Sequence, residues 1–350
     1  CSSDLLGYEV KKNLKWNNLF IFIMKTFVNH NESVKMLNRN FALEAVRVTE
    51  HAAIKASAWI GRGECDDADQ AAVNAMRESL NQMDIDGTIV IGEGERDKAP
   101  MLYIGEKVGN GNGPEIDIAL DPLEGTNLCA TGSPNALAVI AFAKKGCFLH
   151  APDVYMDKIA VGPGLPEGIV DLDSSVKENL ANLAKAKKCD VSDLTVVILE
   201  RDRHSQIIAD VRAAGSRIHL ISDGDIAGII SVVMPNPSAD LYIGTGGAPE
   251  GVLAAAALGA TGGQMLGRLI FHDDVQRERA KRMGITDLDK KYKAHEMARG
   301  DVMFSATGVT DGFMLRGVKH QHGSDVTHSI VMRSATGTVR TIKTTQRRDI

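Results

Sequence analysis

The chain has 350 residues, a formal net charge of −5, 44% hydrophobic residues, 5% aromatics and 34 glycines. That length suits two domains or one large layered domain with a sizeable core, and the mild negative charge speaks against nucleic acid as the main partner. Cys1, Cys65, Cys129, Cys147 and Cys189 are scattered and form no CxxC pair, which argues against a disulfide framework or a zinc finger and for a reduced, cytoplasmic setting.

No stretch approaches the ~18 consecutive apolar residues of a membrane span. Residues 1–35 are rich in Asn and Lys, with one short apolar run at 19–24. They lack a small-residue cleavage site and are expected to be an unstructured extension, a remnant of upstream translation or cloning. Patterned sequence starts at Met36. Residues 40–60 read as a helix, with Ala42, Val46 and Ala53 at helical spacing and Gly61 and Gly63 as its stop. Residues 66–82 read as a second helix, with Asp66 or Asp67 as cap and Ala72, Met76 and Leu80 on one face. A buried strand at 88–91 runs into Gly92-Glu93-Gly94-Glu95. A helix or turn is expected at 100–107, and Gly109–Gly113 forms a glycine-rich turn.

Ile116, Ile118 and Leu120 then alternate as a strand. Asp121-Pro122 should end it, because proline has no N–H for the ladder and restricts the residue before it. Asp121 and Glu124, three positions apart at a strand mouth, suit a hard divalent cation. Gly125 and Thr126 offer backbone N–H groups and a hydroxyl to a phosphate. The bland alternative is a strand-to-turn corner with solvated acids. Residues 136–143 form a strand, 144–146 a break, and 147–149 a return strand.

The style changes near residue 190. Strands at 194–199, 218–221 and 241–243 alternate with helices at 205–214, 225–233 and 251–258, which implies parallel βα units with functional loops at the strand C-termini. Residues 272–300 look like a charged, helical surface insertion, and 301–307 and 329–342 like late strands. The expected organisation is therefore a metal-binding α+β half at 36–190 and an α/β substrate-binding half at 191–345, the boundary being soft.

Acids recur at strand ends and helix starts: Asp69, Glu93, Glu95, Asp121, Glu124, Asp223, Asp225 and Glu250. Most are flanked by Gly or Pro, which lets backbone approach a ligand. Any one of them is also explained by the helix dipole; their number is what favours a site. Glu200-Arg201-Asp202-Arg203-His204 follows another strand. Its arginines suit a phosphate, or else they pair with Glu200 and Asp202 at the surface. There is no GxxxxGK[ST], GxSxG or HExxH pattern, and Gly109–Gly113 precedes a strand, so nucleotide-loop, serine-elbow and zincin chemistry lack support.

Together DPLEGT at 121–126, GRGECDDAD at 61–69, DGTIVIGEGERDKAPMLYIGEKVG at 86–109, NALAVIAFAKKGCFLHAPDVYMDKIAVGPG at 135–164, DGD at 223–225 and GTGGAPEGV at 244–252 resemble the class II fructose-1,6-bisphosphatase family of the GlpX type. That family sits within the lithium-sensitive, metal-dependent phosphatase superfamily. The similarity runs from about 36 to about 340. It implies an α/β fold, a layered α/β/α/β/α sandwich. It implies Mn²⁺- or Mg²⁺-dependent removal of the 1-phosphate of fructose 1,6-bisphosphate, a step of gluconeogenesis and glycerol metabolism.

By motif, the resemblance makes Asp69, Glu93, Asp121, Glu124 and Glu250 metal ligands. Glu124, Gly125 and Thr126 would line the reacting phosphate, with Thr126 orienting or deprotonating the attacking water, helped by a neighbouring acid, so that Thr126, Asp121 and Glu124 would be the catalytic residues. Tyr155 would contact substrate, and Arg201 and Arg203 would hold the remote phosphate. Asp223, Gly224 and Asp225 would bind sugar hydroxyls, and Gly247 would approach through its backbone. One departure stands out: Cys65 occupies a place where family members often carry a lysine, which puts activity, metal preference or thiol sensitivity in question.

The main alternative is a dual enzyme that also takes sedoheptulose 1,7-bisphosphate. An inositol-phosphate phosphatase would not need the two arginines, and a silent metal- or sugar-phosphate-binding regulator would not need every acid. A homo-oligomer, dimer or tetramer, is expected of such a soluble enzyme.

Overall fold

Residues 37–94 and 101–348 are described by the computed structural model. The expectation for 1–35, and Glu95, lie outside them. Apolar residues at helical spacing form α1 (Phe41–Ser57) and α2 (Cys65–Asn81), which pack on each other. Gly61 and Gly63 turn the chain between them at φ of 72° and 79°, a region where a Cβ would be strained. The cap of α2 differs from expectation: Glu64 holds that position, with no side-chain cap bond, and Asp66 and Asp67 fall in the first turn, where the dipole favours them.

The following elements are β1 (Asp86–Ile91), β2 (Lys107–Val108), β3 (Glu115–Glu124), α3 (Thr126–Thr131), β4 (Leu137–Lys144), β5 (Tyr155–Val161), α4 (Val176–Lys187), β6 (Thr195–Leu199), α5 (Ser205–Ala213), β7 (Arg217–Ile221), α6 (Asp225–Ile230), β8 (Leu241–Gly247), α7 (Ala248–Thr261) and β9 (Gln264–Ile270). Then come α8 (Asp274–Arg282), β10 (Lys291–Lys293), α9 (Ala294–Met297), β11 (Met303–Gly308), β12 (Lys319–Gln321), β13 (Ser324–Arg333) and β14 (Thr338–Arg347).

Two sheets result. One runs β12-β13-β11-β4-β3-β1-β2, with β14 on β13; the other runs β10-β9-β5-β8-β6-β7. The period-2 alternation of each strand assigns its faces. On β4, Ala138, Ile140 and Phe142 face the α1/α2 layer. Leu137, Val139, Ala141 and Ala143 face the opposite way, onto α7. On the second sheet, Met156, Ala160, Val197 and Leu199 face α7, while Ile159, Val161, Val196 and Ile198 pack under α4 and α5. The small side chains of α7, buried nearly all round, let both sheets approach it. The layer order is helix, sheet, helix, sheet, helix, as the resemblance implies.

Several local expectations are corrected. Strand β3 does not stop at Asp121-Pro122 but runs on to Glu124. Its pairing with β4 shifts between Asp121 and Glu124, and this bulge accommodates a residue that has no N–H to give. Residues 147–149 do not pair back on β4, whose neighbours are β3 and β11; Phe148 instead makes a lone bridge to Ala298. The late strand expected at 329–342 is a hairpin, β13 and β14, turned at 334–337. The segment at 101–106 takes the turn of the two expected alternatives, and 272–300 holds a short strand as well as helices.

β6 pairs in parallel with β7 and β8, as the βα alternation implies, but β5 runs antiparallel to β8. Sheet membership changes between β4 and β5 and again between β10 and β11. Neither change falls at residue 190.

Candidate active site

The bulge at the end of β3 turns two carboxylates toward the start of α7. One oxygen each of Asp121, Glu124 and Glu250 lie within 4.8 Å of one another. The Leu123 N–H donates to Asp121 Oδ1 at 3.1 Å, which pins that side chain inside the bulge. Glu124 is 5% exposed, and its Oε1 accepts the Ile226 N–H at 3.1 Å. One carboxylate thus ties the β3 turn to the first turn of α6. Glu250 stands in the first turn of α7, after Pro249, and its Oε2 is buried with no hydrogen-bond partner among the described residues. Gly247 clears the way: a Cβ there would lie 1.9 Å from Glu250 Oε2.

Asp69 on α2 and Glu93 after β1 join the same field. Burial pushes the Asp69 carboxyl up to about 6, with the charges of Asp121 and Asp66 adding to it. Burial also raises Glu93 well above the ordinary range, reinforced by Asp121, Asp69, Glu250 and Asp153. Asp121 is lifted to about 6 by burial, although its bonds to Glu124 and Leu123 pull the other way. Glu124 is raised strongly by burial and by Asp121 and Asp225. Glu250 is raised to about 7 by burial and by Asp225, with Lys158 opposing.

So many carboxylates in mutual repulsion suit a hard divalent cation with all-oxygen ligands. The unpaired, buried Glu250 Oε2 is a ready ligand atom. The residues present therefore fit the metal that the sequence pattern suggests.

Lys158 is a member of the centre that the sequence pattern did not single out. It is the one buried lysine among the described residues, at 0% exposure. It pairs with Asp225 and donates to the Gly247 carbonyl at 2.6 Å. Its signal was available: Met156, Lys158 and Ala160 share one face of β5, and the neighbours are fully buried. An inward lysine in such a strand needs a buried anion.

The remaining candidates line the mouth. Gly125, at φ 77°, lets β3 turn directly into α3, which Thr126 opens. Asp223 and Gly224 precede Asp225 at the start of α6, and Asp225 is buried against Lys158. Arg201 does not pair with Glu200 or Asp202 side chains. It donates to the Glu200 and Ser222 carbonyls and, at 3.2 Å, to Asp223 Oδ1, so much of its fork is spent holding the β7–α6 turn.

Arg203 gives Nε and Nη2 to the Thr245 carbonyl at 3.1 and 2.8 Å, and its Cζ lies 4.9 Å from the Tyr155 ring centroid. Tyr155 is 40% exposed and stands directly across from Gly247 in the β5–β8 register. Thr245, which anchors Arg203, and Gly247, which clears Glu250, are ~7 Å apart along an extended strand. Cys65, at the start of α2, donates to Asn127 Oδ1 at 3.3 Å, next to Thr126.

Residues 39–346 match the model of the family described as bacterial fructose-1,6-bisphosphatase, glpX-encoded. The chain is 48% identical over 321 residues to the fructose-1,6-bisphosphatase 1 class 2 of Escherichia coli (strain K12), covering 88% of this chain and 95% of that protein. It is similar, to the same extent, to the fructose-1,6-bisphosphatase class 2 of Escherichia coli O6:H1 and to that of Shigella flexneri.

Proposed function

Because the chain belongs to the bacterial, glpX-encoded fructose-1,6-bisphosphatase family, we propose that the acids at the β3 bulge and the start of α7 remove the 1-phosphate of its substrate, leaving fructose 6-phosphate. The protein is a metal-dependent hydrolase of fructose 1,6-bisphosphate. The single observation that carries the finer reading is the geometry of one strand. β8 presents Arg203's anchor, Thr245, and the glycine that clears Glu250, Gly247, two residues apart.

Asp121, Glu124 and Glu250 would hold the cation, Mn²⁺ or Mg²⁺, with Asp69 and Glu93 sharing the set. Bound there, it neutralises phosphate charge and acidifies a water. The chain supplies position. Glu124, Gly125 and Thr126 line the reacting phosphate. The Thr126 hydroxyl orients the attacking water and is too weak a base to do more. A carboxylate of the cluster takes the proton as the bond from phosphorus to the sugar oxygen breaks.

Asp223, Gly224 and the Asp225 oxygen not used by Lys158 take sugar hydroxyls. Gly247 approaches through its backbone, and Tyr155 packs on the substrate. Arg203, with Arg201 behind it, holds the 6-phosphate. Binding energy gained at the far phosphate is spent on aligning the near one.

A monophosphate substrate would leave Arg203 without purpose, which disfavours an inositol-phosphate reading. The enzyme is read as a cytoplasmic homo-oligomer, dimer or tetramer. No helix among the described residues is long and apolar enough to cross a membrane.

Arg203→Ala is expected to raise KM for fructose 1,6-bisphosphate about tenfold or more, the loss typical of a charged hydrogen bond, with a smaller change in kcat. Phosphorus NMR of the wild-type product is expected to show fructose 6-phosphate. Fructose 1-phosphate as product, or an unchanged KM in the variant, would contradict the assignment of the two phosphate subsites.

A further inference from the structure

His204 closes the segment that carries both arginines, and no role in the reaction has yet been given to it. Its side chain is wholly buried at 0% exposure. Nδ1 lies 2.7 Å from the Leu199 carbonyl, and Nε2 lies 2.8 Å from the Thr245 N–H. A carbonyl can only accept and an N–H can only donate. The ring is therefore neutral, with its proton on Nδ1 and its lone pair on Nε2.

Gly244 lies against the ring: a Cβ there would come within 3.1 Å of His204 Cε1. Thr245 is thus held through both of its flanking peptides. Its N–H is fixed by His204, and its carbonyl receives both Arg203 donors. Its hydroxyl is fixed too, by Asp157 at 2.6 Å.

We propose that His204 is a positioning residue for substrate binding: by clamping β8 at Thr245 to the end of β6 at Leu199, it sets the carbonyl that aims Arg203 at the remote phosphate. It touches no substrate itself. Without it, the Thr245 N–H and the Leu199 carbonyl lose their partners, and the β5 side alone, through the ladder and Asp157, positions the carbonyl under Arg203. Among the described residues, the Tyr155 ring is the other contact that holds Arg203. The effect should fall mainly on KM, because the clamp fixes Thr245 beneath Arg203, whereas Asp69, Glu93, Asp121 and Glu124 stand on α2, β3 and the turn after β1, which it does not join, and Glu250 is reached only through Gly247 and the start of α7.

This inference rests on the reading of Arg203 as the ligand of the remote phosphate, and a double-mutant cycle tests the two separately. KM and kcat for fructose 1,6-bisphosphate are measured for the wild type, Arg203→Ala, His204→Leu and the double variant. His204→Leu is expected to raise KM about tenfold with kcat within about twofold. In the Arg203→Ala background it should add almost nothing.

His204→Gln should restore KM to within about threefold of wild type, because one amide can donate to Leu199 and accept from Thr245. If His204→Leu does not fold, His204→Asn replaces it; its shorter amide cannot reach both partners and must show the same rise in KM. A KM within twofold of wild type, a rise that multiplies fully with that of Arg203→Ala, or no rescue by Gln overturns the proposal while the Arg203 reading stands. An unchanged KM in Arg203→Ala overturns both.

Discussion

Asp121→Asn is expected to lower kcat/KM for fructose 1,6-bisphosphate by about 10³-fold or more at saturating divalent cation, which corresponds to ~4 kcal/mol of transition-state stabilisation. The change is nearly isosteric. It keeps the Oδ1 that accepts the Leu123 N–H at 3.1 Å, so the bulge and the fold should survive. What it removes is one of the three carboxylates that converge within 4.8 Å, together with charge the cation must feel.

The same substitution relieves repulsion. Asp121 raises the proton affinity of Asp69, Glu93, Glu124 and Glu250. The metal-free variant should therefore melt at a higher temperature than the metal-free wild type at pH 7.5. A variant that is both less active and more stable is the signature of a site strained for function. A variant that is less active and also less stable would point to a structural role for Asp121 instead.

The second large effect concerns the cation and pH. In the fold, Asp69 and Asp121 titrate at about 6 and Glu250 at about 7, against ordinary values of 3.8 and 4.5. A raised folded value means that the folded protein binds protons more tightly than the unfolded chain. Below about pH 4 both states are protonated, and nothing is lost. As pH rises through about 4 to 7, the fold must hold protons or carry mutually repelling charges, and stability falls.

Histidines act in the opposite sense. His51, His204 and His328 are held below 6.5 mainly by burial, so they cost stability as pH drops beneath that value. Comparing melting temperature with and without divalent cation at one pH cancels them. The gain from Mn²⁺ is expected to be several degrees at pH 7.5, since a ligand at about 100 times its Kd contributes about 2.7 kcal/mol. It should shrink toward zero at pH 5, where the ligands are protonated. An equal gain at both pH values would show that the cation stabilises the protein elsewhere.

Strand-end acids were legible because they recur: the helix dipole explains any one of them, but not a carboxylate beside Gly or Pro at the end of so many apolar runs. Asp121, Glu124 and Glu250 do converge, and Asp69 and Glu93 share their field, although they come from separate stretches of the chain. Local pattern could not show the bulge. A proline normally ends a strand, and only the register with β4 reveals that Asp121 and Glu124 stay within it.

Lys158 escaped notice because a lysine in a strand normally faces water; its buried anion, Asp225, lies on a different element. β5 was missed with it. Sheet membership is decided by which face each strand buries against α7, and that is a tertiary fact. His204 escaped for a similar reason: its two partners, Leu199 and Thr245, are brought together only by the β6–β8 pairing.

Phosphate release from fructose 1,6-bisphosphate by the protein, in Mn²⁺, in Mg²⁺ and after chelation, tests the central claim most directly. The account predicts release with a divalent cation, its loss on chelation and its recovery when the cation is restored. Release that is indifferent to chelation, or folded protein inert with both cations, would contradict the assignment of the Asp121–Glu124–Glu250 centre as the seat of the reaction.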